Sequence, residues 1–247
     1  MAIHAQTGLV DSDEFYQRNV RRPRLPDYTQ KIEDLLKRMT LEEKVGQMTQ
    51  LAIGMIINGQ DQNFKVDPAK LEKAVVKYGV GSILNVSDQA LTIDRWHEVI
   101  NDIQAAAKKT RLNIPVIYGI DSIHGANYVQ GATLFPQEIG MAATFNPELM
   151  KRAAEITAFE TRAAGIPWGF SPVLDLGRDP RWPRFWETFG EDPYLARVMG
   201  VAFVRGLEGT DVASQQQVAS SLKHYMGYSF PLTGRDRTPA WFPENYL

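Results

Sequence analysis

The stretch Phe170-Ser-Pro-Val-Leu-Asp-Leu-Gly-Arg-Asp-Pro-Arg-Trp-Pro-Arg-Phe-Trp-Glu-Thr-Phe-Gly-Glu-Asp-Pro193 decides how this chain is read. It opens as an apolar run in which Val173, Leu174 and Leu176 surround Asp175, the pattern of a buried strand. Gly177, Pro180 and Pro183 then interrupt regular structure. Into that break are set Arg178, Arg181 and Arg184, Asp179, and the aromatics Trp182, Phe185 and Trp186. Asp192-Pro193 is a helix start, an acidic N-cap followed by proline at the first helical position. A strand thus delivers a charged, aromatic loop at its carboxyl end, and a helix follows. In parallel α/β folds that end of a strand is where sites are built. The bland alternative is a solvated loop, which seldom carries two tryptophans among its charges.

Outward from this stretch the same alternation continues. Ile32, Leu35, Leu36 and Met39 recur at helical spacing, and Thr40 with Glu43 forms a capping box for a second short helix. Val45 to Ile57 is apolar and holds a first strand. Asp67-Pro68 starts a helix carrying Leu71, Val75 and Tyr78 on one face, and Val80 to Asn85 is a strand. The next helix carries Ile93, Trp96, Ile100 and Ile103, with Trp96 in the core. Pro115-Val-Ile-Tyr-Gly-Ile-Asp121 is a strand whose apolar run stops on an acid. Ser122 to Met141 reads as a long loop, and Asn146-Pro147 starts a helix capped by Gly165. Beyond Asp192, Leu195, Val198, Met199, Ala202 and Phe203 face inward. Val218 to Tyr225 is a last strand ending on Lys223-His224, and Met226 to Leu247 reads as loop. Residues 1–28 form an N-terminal extension and 29–247 one domain.

Alternating strands and helices imply a parallel sheet with right-handed crossovers, its strands near residues 80, 116, 170 and 218 pairing in sequence order. Asp121, Arg178 and Lys223-His224 close separate strands, and polar residues gathered at strand carboxyl ends are the barrel pattern. An open doubly wound sheet is the alternative. No Gly-x-Gly-x-x-Gly follows a strand, which argues against a dinucleotide fold. With 247 residues, 44% hydrophobic, and a net charge of -2, the composition is ordinary for a globular domain. It gives no reason to expect nucleic acid or a membrane surface as partner. The chain has no cysteine, which excludes disulfides, thiolate zinc sites and cysteine nucleophiles. The few histidines are scattered, so neither a metal site nor a cofactor is expected.

Asp121, Arg178, Lys223 and His224 would line a polar pocket flanked by flat tryptophan faces. That combination suits a sugar, with hydroxyls on its rim and C–H groups on its faces. The like charges of Arg178 and Lys223 require compensation by Asp121 and Asp175. A phosphate site would show a glycine-rich turn at a helix N-terminus. His124 reads equally well as a structural, hydrogen-bonded histidine. Glu187, Glu191 and Asp192 read as acids at a helix start.

Five motifs occur in order: Arg38-Met-Thr-Leu-Glu-Glu-Lys-Val-Gly-Gln-Met48, Tyr118-Gly-Ile-Asp-Ser-Ile-His-Gly125, Ser171-Pro-Val-Leu-Asp-Leu-Gly-Arg-Asp-Pro-Arg-Trp182, Glu187-Thr-Phe-Gly-Glu-Asp-Pro193 and Lys223-His-Tyr225. Together they resemble the N-terminal domain of glycoside hydrolase family 3, in particular its β-glucosidases. The resemblance implies a (β/α)8-type barrel and retaining hydrolysis of β-linked glucosides or oligosaccharides. Asp121, Arg178, Lys223 and His224 would then bind hydroxyls of the non-reducing-end sugar. In the family the nucleophile is an aspartate in a Ser-Asp-Trp-like motif on a later strand, and a following domain usually supplies the acid/base. No Ser-Asp-Trp occurs here, so no catalytic residue is identified and the nucleophile is expected beyond Leu247. Met226-Gly-Tyr-Ser229 replaces the histidine-bearing loop of the β-N-acetylglucosaminidase branch, and Pro183 stands where the family often has glycine. Five or six strands are counted against eight in a closed barrel. The barrel is therefore expected to be incomplete, with the missing part or self-association covering its edge. The resemblance suggests a periplasmic or extracellular protein. The alternative function is a non-catalytic carbohydrate-binding protein derived from the same fold.

Overall fold

The computed structural model describes residues 27–60 and 63–243. The expected extension lies outside the described residues up to residue 26, and so does the end of the tail from residue 244. Helix α1 (Thr29–Arg38) and helix α2 (Leu41–Gln47) come first, the latter started by the expected capping box of Thr40 and Glu43. The apolar stretch 45–57 does not form one strand. Strand β1 is Gln50–Ala52, a 3-10 turn covers Ile53–Met55, and β2 (Ile57–Asn58) pairs antiparallel with β3 (Lys65–Val66). Gly46 lies inside α2, and Gly54 falls in the 3-10 turn.

Asp67 caps α3 (Pro68–Leu71) through the N–H groups of Ala69 and Lys70, and the helix continues as a π-turn over Glu72–Lys77. Leu71 and Val75 are buried as expected, whereas Tyr78 is exposed. Strand β4 (Ser82–Leu84), helix α4 (Ile93–Ala107) and strand β5 (Ile117–Ile120) follow. The long loop contains a short helix, α5 (Glu138–Ala142), which is too brief to show a period in sequence. Helix α6 (Pro147–Ala163) ends at Gly165, whose φ of 84° is the left-handed geometry expected of such a stop. Strand β6 (Trp168–Gly169), helix α7 (Pro193–Glu208) and strand β7 (Ala219–Ser220) complete the order.

Five strands form one parallel sheet in the order β1-β4-β5-β6-β7. Strands β4 to β7 are neighbours in sequence order, as the alternation predicts. Ile83 sits beside Tyr118, Ile120 beside Gly169, and Gly169 beside Ser220. Among the described residues β1 and β7 are the two edges, so this is a TIM-like α/β sheet whose barrel is not closed.

The run from Phe170 to Leu176 is a correction to the expected strand. Ladder pairing stops at Gly169, and the chain continues extended with a single bridge from Val173 to Lys223. Pro172 has no N–H to give to a ladder. The Val173 N–H is taken by the Glu138 carboxyl at 3.3 and 3.4 Å.

Candidate functional site

The carboxyl end of β5 places Asp121, and hydrogen bonds behind it hold that position. The buried Thr161 hydroxyl of α6 donates to Ser122 Oγ at 3.0 Å, and Ser171 Oγ donates to the Ser122 carbonyl at 3.1 Å. The extended chain after β6 runs alongside the chain after β7. Leu174 N–H donates to the Lys223 carbonyl at 2.8 Å and Lys223 N–H to the Pro172 carbonyl at 3.2 Å. Three chain segments far apart in sequence therefore meet at one end of the sheet.

There the Lys223 ammonium donates to Asp121 Oδ1 at 2.6 Å, with both side chains largely buried. His224 turns to a different acid: its Nδ1 and its backbone N–H both lie on Asp175 Oδ2, at 2.7 and 2.9 Å. Each cationic or titratable group has its own carboxylate, which removes the cost of an uncompensated charge in a half-dry site.

Arg178 is not joined to this cluster. Its side chain is exposed and its guanidinium lies over the Phe230 ring, 5.8 Å from the centroid. The reason is local: the strand ends before Arg178, and Gly177 and Pro180 turn the chain outward. Arg178 instead lines an open cleft of about 420 Å³ with Pro180, Arg181, Phe230, Leu232 and Trp241.

Several residues around the site carry little sequence signal. Glu187 does not start a helix; it is buried and holds Arg184 in a bidentate pair at 3.0 and 2.7 Å. Arg184 also reaches the Tyr228 hydroxyl at 3.4 Å. Burial by itself would lower the Arg184 pKa, but the bonds to Glu187 and Tyr228 raise it. Glu138 is fully buried behind the 171–175 segment, and burial raises its carboxyl well above the usual range against the pull of the Val173 N–H. A buried, neutral acid is a common way to avoid the cost of a desolvated charge. His124 is structural: Nδ1 meets the Phe135 carbonyl at 3.0 Å. Asp192 caps α7 as expected. Among the described residues no cluster of three or more histidines and acids is placed to hold a metal, and no helix is long and apolar enough to cross a membrane.

A parallel α/β sheet with an ammonium–carboxylate pair and an imidazole–carboxylate pair at its strand carboxyl ends defines a barrel-type domain with a polar site. The chain belongs to glycosyl hydrolase family 3: residues 40–244 match the family's N terminal domain. It is 43% identical over 230 residues to the lysosomal beta glucosidase of Dictyostelium discoideum, covering 87% of this chain and 28% of that protein. It is 31% identical to the periplasmic beta-glucosidase of Salmonella typhimurium, covering 83% of this chain and 24% of that protein. Among solved structures, the exo-1,3/1,4-beta-glucanase of a Pseudoalteromonas species superposes with a TM-score of 0.77 at 32% identity, covering 92% of this chain and 28% of that one. A mutant beta-glucosidase from Listeria innocua in complex with laminaribiose superposes with a TM-score of 0.71 at 31% identity, covering 89% of this chain and 29% of that one. The chain thus spans about a quarter of the length of these curated relatives.

Proposed function

We propose that this chain supplies the sugar-binding share of a retaining β-glucosidase. Asp121, Lys223 and His224 would bind hydroxyls of the non-reducing-end sugar of a β-linked glucoside or oligosaccharide. Arg178 would join them by turning inward from Phe230. The observation that carries the reading is the pair of clusters Lys223–Asp121 and His224–Asp175, which set a donor and an imidazole side by side at the strand ends. Charge-assisted hydrogen bonds to a neutral polyol are strong and directional. The β-glucosidase names of the relatives and the laminaribiose complex of the Listeria enzyme support the same substrate class.

Retaining hydrolysis uses two carboxyl groups about 5 Å apart across the glycosidic bond. Asp121, Asp175 and Glu187 are each committed to a cationic or imidazole partner, and Glu138 is buried. No nucleophile or acid/base is assigned to them, and both are proposed to come from outside this chain. The 247-residue chain is therefore expected to bind methyl β-D-glucopyranoside in an NMR titration, to lose that binding in K223M and D121N, and to show no appreciable turnover of an aryl β-glucoside. Wild-type affinity in both variants would defeat the sugar-site reading. Turnover comparable to a complete family enzyme would defeat the assignment of catalysis elsewhere.

A further inference from the structure

Tyr228 lies at the centre of a network that no sequence motif announces. Its ring packs against the His224 imidazole, with centroids 4.7 Å apart and planes tilted by 54°. Its hydroxyl donates to Asp236 Oδ1 at 2.5 Å, and the Trp182 indole N–H donates to the same oxygen at 3.3 Å. The Trp182 ring meets Tyr228 edge-on at 5.6 Å, and the Arg184 guanidinium lies over the Tyr228 ring at 5.6 Å. Arg184 is itself locked by buried Glu187.

Resting on the sugar-pocket reading, we infer that Tyr228 is a positioning residue for His224, clamped by Asp236, Trp182 and Arg184, and that it aims the second imidazole nitrogen at the sugar. The bond from Nδ1 to Asp175 anchors the imidazole at one atom and leaves the tilt of the ring free. A tyrosine face packed against the ring removes that freedom. In the tautomer whose Nδ1–H donates to the carboxylate, Nε2 is an acceptor. It makes no hydrogen bond among the described residues. The site then offers a sugar one acceptor beside the Lys223 donor, a pairing that selects for a hydroxyl able to give and one able to receive.

The clamp is well suited to hold a phenol in its donating form. Burial, followed by the bond to Asp236, raises the Tyr228 pKa above that of a free phenol. Burial works against the Asp236 charge, yet the bonds from Tyr228 and Trp182 hold that carboxyl below its ordinary range. The clamp also ties the loop after β6 to the tail after β7, so the imidazole is set by two segments at once.

The test uses the 247-residue chain, with the His224 ring signals assigned by their loss in H224Q. Y228L is expected to displace those signals and to weaken methyl β-D-glucopyranoside binding about tenfold, whereas Y228F keeps the ring face and binds within about threefold of wild type. Unmoved His224 signals in Y228L would overturn the inference. So would Y228F and Y228L behaving alike in both readouts, since the ring face would then not be what holds the imidazole. Should Y228L fail to fold, Y228M decides: it fills the space without a ring face, so shifted or broadened His224 signals support the clamp and wild-type signals refute it. If wild-type chain fails to bind the glucoside, the functional reading falls while the ring signals still judge the positioning.

Discussion

Around β4, β5 and α4 the core is made of large, stiff side chains: Ile53, Ile56, Ile83, Trp96, Val99, Ile103, Tyr118 and Ile120 are all at most 1% exposed. Around α6 and α7 the interior sets Phe189, Phe203 and Leu207 among many small or unbranched residues, including Met150, Ala153, Ala154, Ala158, Ala196, Met199 and Gly206. In the first region Trp96 and Tyr118 meet edge-on at 5.5 Å, and each spends its polar atom on a backbone carbonyl, of Tyr128 and Asn85 respectively. In the second the helices approach closely enough that small residues are required. The difference shows two ways of holding short strands. Bulky residues fill the space behind β4 and β5 by themselves. Behind β6 and β7 polar groups also hold the chain, among them Glu138 on the Val173 N–H and Arg184 on Glu187.

Three experiments break or sharpen this contrast. Trp96→Ala removes the largest side chain of the bulky core and is expected to cost about 3–5 kcal/mol in urea unfolding. A loss under about 1 kcal/mol would mean that this core is not what stabilises the sheet. Gly206→Ala tests the close-packed helices. A Cβ there would lie 2.4 Å from the Lys151 carbonyl oxygen and 2.6 Å from Ala154 Cβ. In an ordinary helix interior alanine gains about 0.5–1 kcal/mol over glycine; here the crowding is expected to reverse the sign to a loss of about 1–3 kcal/mol. A more stable G206A variant would show that α6 and α7 have room to part.

The smallest effect is expected at Glu138, and it depends on pH. Its folded pKa lies above the ordinary value of 4.5, so the folded chain holds a proton that the unfolded chain releases. Stability from this group is complete below that ordinary value and is lost as pH climbs from there toward the raised folded value. Glu138→Gln keeps an oxygen for the Val173 N–H and removes the titration. Comparing melts at about pH 5 and about pH 8, the wild type should lose more stability than E138Q, and E138Q should be at least as stable at the higher pH. Equal losses in both would show that the carboxyl stays ionised despite its burial.

Much of the architecture was legible residue by residue. The caps Thr40, Asp67, Asn146 and Asp192 all start helices where the sequence places them. Trp96 is in the core, and strands β4 to β7 pair in chain order. These features rest on interactions within one turn of helix, or on the short crossovers between neighbouring elements. The length of the strand before Gly177 was not legible, because the Val173 N–H goes to an acid 35 residues earlier in the chain.

For the site, sequence by itself determined which chemistry would stand at the strand ends: Asp121 after β5, Lys223 and His224 after β7, and the motifs of the family. Tertiary structure decided the pairing. Lys223 takes Asp121 across 102 residues, His224 takes Asp175 across 49, Arg178 turns out to Phe230, and Tyr228 is clamped against His224 by Asp236. A charged side chain's residue type states what it will bind. Which partner it meets depends on distance and burial, and these exist only once the sheet and its helices have packed.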